Sequence, residues 1–135
     1  MVEQLRSHGL KVTPQRIAIL DILKDDTTHP SAEEIYGRLK PNFPSLSLAT
    51  VYNTLEALNR AGVIQEVIID PRKRHYDPNP KPHSHFQCRN CSSIFDIAIE
   101  IELPPTPCQI DDFLMEYVAI NWHGICPQCR AKEAD

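Results

Sequence analysis

The sequence predicts an α+β protein in two parts: a helical N-terminal domain closed by a short hairpin, and a smaller, mainly β C-terminal domain. Three observations carry this. Helix-capping residues recur at Thr13, Ser31 and Ser47, each ahead of apolar residues at helical spacing. The apolar runs beyond residue 62 are short and rich in β-branched residues, as strands are. Between the two halves lies Pro78-Asn79-Pro80-Lys81-Pro82, whose alternating prolines make a stiff, extended connector. The expected division is 1–78, a hinge at 79–82, and 83–135.

A weak helix from Val2 to His8 ends at Gly9, a C-cap residue. Thr13-Pro14 reads as cap plus first turn, where proline loses no needed hydrogen bond, and Ile17, Leu20 and Leu23 form the stripe behind it. Ser31-Ala32-Glu33-Glu34 is a capping box followed by Ile35, Tyr36 and Leu39, and Pro41 stops that helix. The next helix starts at Ser47 and runs to Gly62, with Leu48, Val51, Leu55 and Leu58 on its apolar side. Its other side shows Ala49, Thr50, Tyr52, Asn53 and Thr54, with no charge until Glu56, whereas a face meant only for water usually carries more Lys and Glu. Val63–Ile69 is a strand, Asp70-Pro71-Arg72-Lys73 a turn, and Arg74–Asp77 the returning strand. Three helices and a hairpin make the winged-helix order. In that order the third helix enters the DNA major groove and the basic tip, Arg72 and Lys73, touches phosphate. Lys11 and Arg16 flank the start of the second helix and are further DNA candidates. For each of these basic residues the ordinary alternative is a solvated charge.

After the hinge, His83–Cys88, Ile94–Ile101 and Phe113–Trp122 read as strands. Leu103-Pro104-Pro105-Thr106-Pro107 precludes a long helix between them. So small a sheet has little core and needs a metal or a partner chain. Tyr117 and Trp122 read as sheet packing or dimer contacts, and Cys108 as a bystander.

Hydrophobic residues make up 41% of the 135, too many for general disorder. No apolar run approaches the roughly 20 residues of a membrane span. The segment Met1–Leu10 lacks a signal-peptide core, so a cytoplasmic protein without membrane contact is expected. The net charge of −4 is uneven: residues 1–80 carry ten basic against ten acidic residues, and residues 81–135 carry four against eight. The acidity thus sits in the C-terminal half and leaves the first half able to present a basic face.

The run His83-Ser84-His85-Phe86-Gln87-Cys88-Arg89-Asn90-Cys91 packs imidazoles and thiols together. On a strand, His83 and His85 share one face and Cys88 lies on the other, so two sites are expected rather than one. Cys88-x-x-Cys91 and Cys126-x-x-Cys129 are matched pairs separated by 34 residues. Together they complete a tetrahedral four-sulfur shell that suits zinc and leaves no open position for chemistry. The alternatives are core cysteines or a redox pair. The two imidazoles need nitrogen or oxygen partners, for which Asp77, Asp96 and His29 are candidates. Such a set suits Fe(II), Mn(II) or Zn(II) rather than Cu(I). Taken alone, each of those three is more simply a solvated residue. No His-Glu-x-x-His or His-x-Glu pattern points to a metallohydrolase, and no enzyme is expected.

Several stretches together resemble the Fur family of bacterial metalloregulators: Leu48-Ala-Thr-Val-Tyr-Asn-Thr-Leu55, His29-Pro-Ser-Ala-Glu-Glu-Ile-Tyr36, His75-Tyr76-Asp77, His83–Cys91 and Gly124-Ile-Cys-Pro-Gln-Cys129. The similarity extends from about Leu5 to Arg130. It implies a homodimeric transcriptional repressor acting on an operator in double-stranded DNA, with a winged helix, a hinge and an α/β dimerisation domain. It further implies that Cys88, Cys91, Cys126 and Cys129 hold a structural zinc. His29, Asp77, His83, His85 and Asp96 are then the ligands of a regulatory Fe(II) or Mn(II). Aspartate at both 77 and 96, with Asn53, resembles the peroxide-sensing branch, in which a regulatory histidine, here His29 or His83, is oxidised. The alternative is an iron- or zinc-responsive repressor without that chemistry. The sequence departs from the family at Ser92-Ser93, at the proline-rich 103–109 segment that replaces a long helix, at Tyr117-Val118 where a histidine pair is common, and at Trp122-His123.

Overall fold

In the computed structural model, residues 1–24 and 26–133 are described; residues 134 and 135 of the expected C-terminal domain lie outside them. The chain forms two compact units, with the boundary between Lys81 and Pro82.

The first unit is a winged helix. Its elements are α1 (Val2–Ser7), α2 (Pro14–Leu23), α3 (Ala32–Leu39), α4 (Leu48–Arg60), β1 (Gln65–Val67) and β2 (His75–Asp77). The three expected caps are made. Thr13, Ser31 and Ser47 have extended backbones, and their hydroxyls accept the N–H groups of Arg16, Glu34 and Thr50. Gly62 ends α4 with a left-handed φ of 81°, which its missing Cβ permits. Leu5, Ile19, Leu23, Ile35, Val51, Leu55, Leu58, Ile64 and Tyr76 are among the residues of one buried cluster that closes α1 to α4 onto the hairpin. The hairpin strands are shorter than expected, with Gln65 opposite Asp77 and Val67 opposite His75. The Arg74 guanidinium grips the Glu66 carboxylate through two bonds of 2.8 and 3.0 Å.

The second unit holds β3 (Ser84–Cys88), β4 (Ile94–Ile97), β5 (Cys108–Ile110), β6 (Phe113–Met115), β7 (Ile120–Gly124) and α5 (Pro127–Glu133). β3 is the middle strand of a sheet ordered β4-β3-β7, antiparallel to β4 and parallel to β7. β5 and β6 form a separate hairpin. Three expectations change here. The run Phe113–Trp122 is not one strand: its start pairs with β5, while its end lies beside β3 in the other sheet. Glu116 stands directly after β6, but one charged residue in an otherwise apolar run is weak notice of a change of sheet. The strand expected over 94–101 ends at Ile97. A C-terminal helix also forms after Cys126, with Pro127 in its first turn; it buries only Cys129, too little to leave a periodic stripe.

The second unit's buried cluster is Cys88, Cys126 and Cys129, with Phe86, Phe95 and Ile125 packed against it. Its centre is therefore sulfur. Large apolar side chains elsewhere in the unit stay exposed, Phe113 and Leu114 at 67% and Tyr117 at 70%.

Candidate functional site

The four paired cysteines converge. Their sulfurs lie within 4.8 Å of one another, and Cys91 Sγ is 3.8 Å from Cys126 Sγ. A zinc ion with bonds of about 2.3 Å sets its sulfurs about 3.8 Å apart on a tetrahedral edge, so the shell fits zinc. A disulfide requires sulfurs at about 2.05 Å. The backbone shapes the cluster. Ser92 N–H donates to the Cys88 carbonyl across the turn (2.9 Å), and Arg89 N–H to the Gly124 carbonyl (2.8 Å), which brings the two pairs together. The N–H groups of Cys126 and Asn90 both point at Cys88 Sγ at 3.4 Å. Such donors, the Cys126 N–H above all, favour the thiolate and hold the Cys88 pKa at about 6. Cys129 is pushed up to about 12, first by its contact with Cys126 and then by burial. Ser93 likewise draws the Cys91 pKa down, so two thiols lean toward the thiolate while Cys129 resists, and a cation favours ionisation of the set. Cys108 stands apart on β5.

On the other face of β3, His85 lies directly opposite Asp96 of β4. His83 Nε2 is 2.9 Å and His85 Nε2 3.5 Å from the same carboxylate oxygen, Asp96 Oδ1, and the two rings are 4.3 Å apart. Ligands bound at about 2.1 Å sit about 3.0 Å apart at right angles and about 3.4 Å apart on a tetrahedron, so this trio also fits a cation.

In the first unit, His29 and Asp77 are both buried, with Nδ1 3.6 Å from Oδ2. His29 has a left-handed φ of 54°, uncommon for a side-chain-bearing residue. β2 holds it there. Tyr76 N–H donates to the Pro30 carbonyl at 3.2 Å, and Ser31 bridges to His75. His75 Nδ1–H donates to the His29 carbonyl at 2.8 Å.

On α4, Ser47, Ala49, Thr50 and Asn53 are exposed, and Tyr52 and Thr54 half-buried. The Ser47 hydroxyl is engaged with Thr50 as the cap. Tyr52 donates its hydroxyl to Glu33 at 2.5 Å; that bond draws the Glu33 pKa down and pushes the Tyr52 pKa up. The Arg16 guanidinium donates to the Lys11 carbonyl at 2.7 Å, tying these two candidates together. At the wing, Arg72 reaches back to Asp70, and Lys73 is exposed. Burial raises the Asp70 pKa, but the Arg72 N–H and guanidinium outweigh it and hold the value at about 2.

Two residues of this geometry were not among the sequence candidates. Glu33, inside the capping box, sets the pose of Tyr52. His75 shares a strand face with Asp77 two residues on, a relation that the strand period does carry.

A winged helix joined to a unit built on paired thiols and an imidazole–carboxylate set defines a metal-dependent DNA-binding regulator. The chain belongs to the ferric uptake regulator family, whose model matches residues 7–106, a family of transcriptional regulators and not of enzymes. The chain is 34% identical over 133 residues to the peroxide-responsive repressor PerR of Staphylococcus aureus, covering 97% of this chain and 90% of the relative. The PerR of Streptococcus pyogenes, solved for peroxide sensing and gene regulation, is 30% identical, with a TM-score of 0.54 over 95% of this chain and 89% of that one. The Helicobacter pylori ferric uptake regulator shares the fold at a TM-score of 0.71, with 21% identity over 95% of this chain and 87% of that one. No helix among the described residues is long and apolar enough to cross a membrane.

Proposed function

We propose that this chain is a metal-gated DNA-binding repressor that lets go of its operator when peroxide oxidises a histidine of its regulatory site. The observation that supports this best is the presence of two unlike ligand sets: four convergent thiols, and the separate trio His83, His85 and Asp96 on the opposite face of β3. Zn(II) suits the thiols, which leave it no vacant position. Fe(II) or Mn(II) suits the imidazoles and carboxylates.

In this reading His29 and Asp77 engage the same ion as His83, His85 and Asp96, across the Pro78–Pro82 hinge. Five ligands from both sides of a hinge restrict the angles that the units sample. Two copies then present their α4 helices at the spacing of operator half-sites. The apolar side chains exposed at Phe113, Leu114, Tyr117 and Trp122 supply the surface for the second copy. The exposed residues of α4, with Lys11, Arg16, Arg72 and Lys73, face DNA. A bound Fe(II) would activate peroxide beside its ligands, so that one peroxide oxygen goes to an imidazole, which gives up two electrons, and the other leaves as water. Addition of oxygen to His29 or His83 removes a nitrogen donor, and the ligand set no longer spans the hinge. Aspartate at both 77 and 96, Asn53 and the likeness to the staphylococcal repressor support peroxide over metal level as the signal. The role is a cytoplasmic one.

The test loads the full chain with Fe(II) or Mn(II), exposes it to peroxide and maps added oxygen by peptide mass. Oxygen on the His29 or His83 peptide of the iron form alone is expected. DNA binding that follows metal supply, with no histidine oxidation, makes the chain an iron- or zinc-responsive repressor instead.

A further inference from the structure

We propose that His75 is a positioning residue that couples the loop bearing the metal ligand His29 to the DNA-contacting wing. This rests on the metal-gated reading above. One face of β2 carries His75 and Asp77, two residues apart, and both act on His29: Asp77 faces its imidazole at 3.6 Å, and His75 Nδ1–H donates to its carbonyl at 2.8 Å. The carbonyl that His75 holds belongs to a residue at φ 54°, where backbone must be restrained from outside to persist. The other ring nitrogen of His75, Nε2, faces Asp70 Oδ2 at 3.5 Å. The opposite oxygen, Asp70 Oδ1, accepts the Arg72 backbone N–H at 2.9 Å and its Nε–H at 3.2 Å. His75 and the Asp70 side chain are both nearly sealed from solvent.

A chain of polar contacts thus runs from the His29 carbonyl through one imidazole, across the 3.5 Å ion-pair contact of its Nε2 with Asp70, to the tip at Arg72. Its two ends are a proposed metal ligand and a proposed phosphate contact. An imidazole is rigid, so a rotation of His29 that draws on its carbonyl turns the ring and shifts Nε2 against Asp70. Arg74 is turned away from this path, because its Nε–H and Nη2–H both donate to the Glu66 carboxylate. Placing His29 for metal therefore sets the wing for DNA.

The test measures Mn(II) affinity and amide hydrogen exchange at Arg72–Arg74 in the full chain, with and without Mn(II). In the unaltered protein, Mn(II) is expected to slow exchange at these amides. His75→Phe fills the ring volume without either nitrogen; it should weaken Mn(II) by about fivefold and abolish the wing response. His75→Asn keeps a donor near the Nδ1 position and loses the Nε2 side, so it should restore Mn(II) affinity to within about twofold and still lack the wing response. Asp70→Asn, outside the buried ring, should do the same. A wing response of unaltered size in His75→Phe or Asp70→Asn overturns the coupling. Mn(II) binding by the unaltered chain with no change at the wing overturns it while leaving the metal site standing. Absence of Mn(II) binding overturns both.

Discussion

Chelating the zinc proposed for the four-cysteine cluster should unfold the second unit and spare the first. The magnitude follows from what each unit buries. The first packs leucine, isoleucine, valine and tyrosine side chains from four helices and a hairpin into one cluster. The second buries three cysteines and Ile94, with two phenylalanines and Ile125 half-buried around the cysteines. A core in a unit of about fifty residues supplies no more than about 3–5 kcal/mol. A structural zinc supplies about 10–16 kcal/mol of folding free energy at neutral pH, against about 5–15 kcal/mol for the net stability of a whole domain. Losing the ion removes more than the remaining contacts return. Cys126→Ser, at a buried position with a sulfur 3.8 Å from Cys91, should reproduce most of the effect. The assay is residue-resolved hydrogen exchange before and after treatment with a strong chelator. Amides of β3, β4 and β7 should lose protection while those of α4 keep theirs. Protected β3 amides in a demonstrably zinc-free protein would refute the reasoning, because the apolar contacts alone would then hold the unit.

Three further outcomes are expected. Asp70 is held at about 2 against the usual 3.8, so its stabilising effect is fully present above pH 3.8 and lost as pH falls through about 2; Asp70→Asn should cost about 1 kcal/mol at pH 7, after allowance for solvent screening, and next to nothing only at about pH 1, by denaturant melts. Glu33→Gln removes the carboxylate that holds the Tyr52 proton, so the phenol should ionise at lower pH in an ultraviolet titration, and DNA affinity should fall. Phe113→Asp, at an exposed position in β6, should shift the protein from dimer to monomer in light scattering without unfolding the first unit; an unchanged dimer places the contact surface elsewhere.

Local physics made the first unit legible. Thr13, Ser31 and Ser47 announce their helices because a hydroxyl must satisfy the first free N–H groups, and α4 shows its buried side as an unbroken stripe. The thiol set was legible from spacing alone, since two Cys-x-x-Cys turns supply one tetrahedron. Strand alternation over 83–88 is enough to separate the two imidazoles from Cys88, although β3 itself begins at Ser84. Partners distant in sequence were not legible by such means. Nothing near His29 marks it as a ligand: sequence chemistry offers it, with Asp77 and Asp96, only as a candidate that is more simply solvated, and the family resemblance is what singles the three out. The split of 113–122 between two sheets was hidden because both halves are equally apolar. The role of His75 depends on a carbonyl 46 residues away and on a turn carboxylate, neither visible in a local pattern.

In the proposed function, an oxidisable metal site controls DNA binding. The most direct test takes duplexes selected from a random-sequence library by the Mn(II)-loaded protein and measures their affinity for the Fe(II) and Mn(II) forms before and after peroxide. The account predicts that only the Fe(II) form releases DNA, and that its released fraction matches the fraction of chains carrying one added oxygen at His29 or His83. Release of both forms with oxygen found only on cysteines, or retention by a histidine-oxidised Fe(II) form, would contradict it.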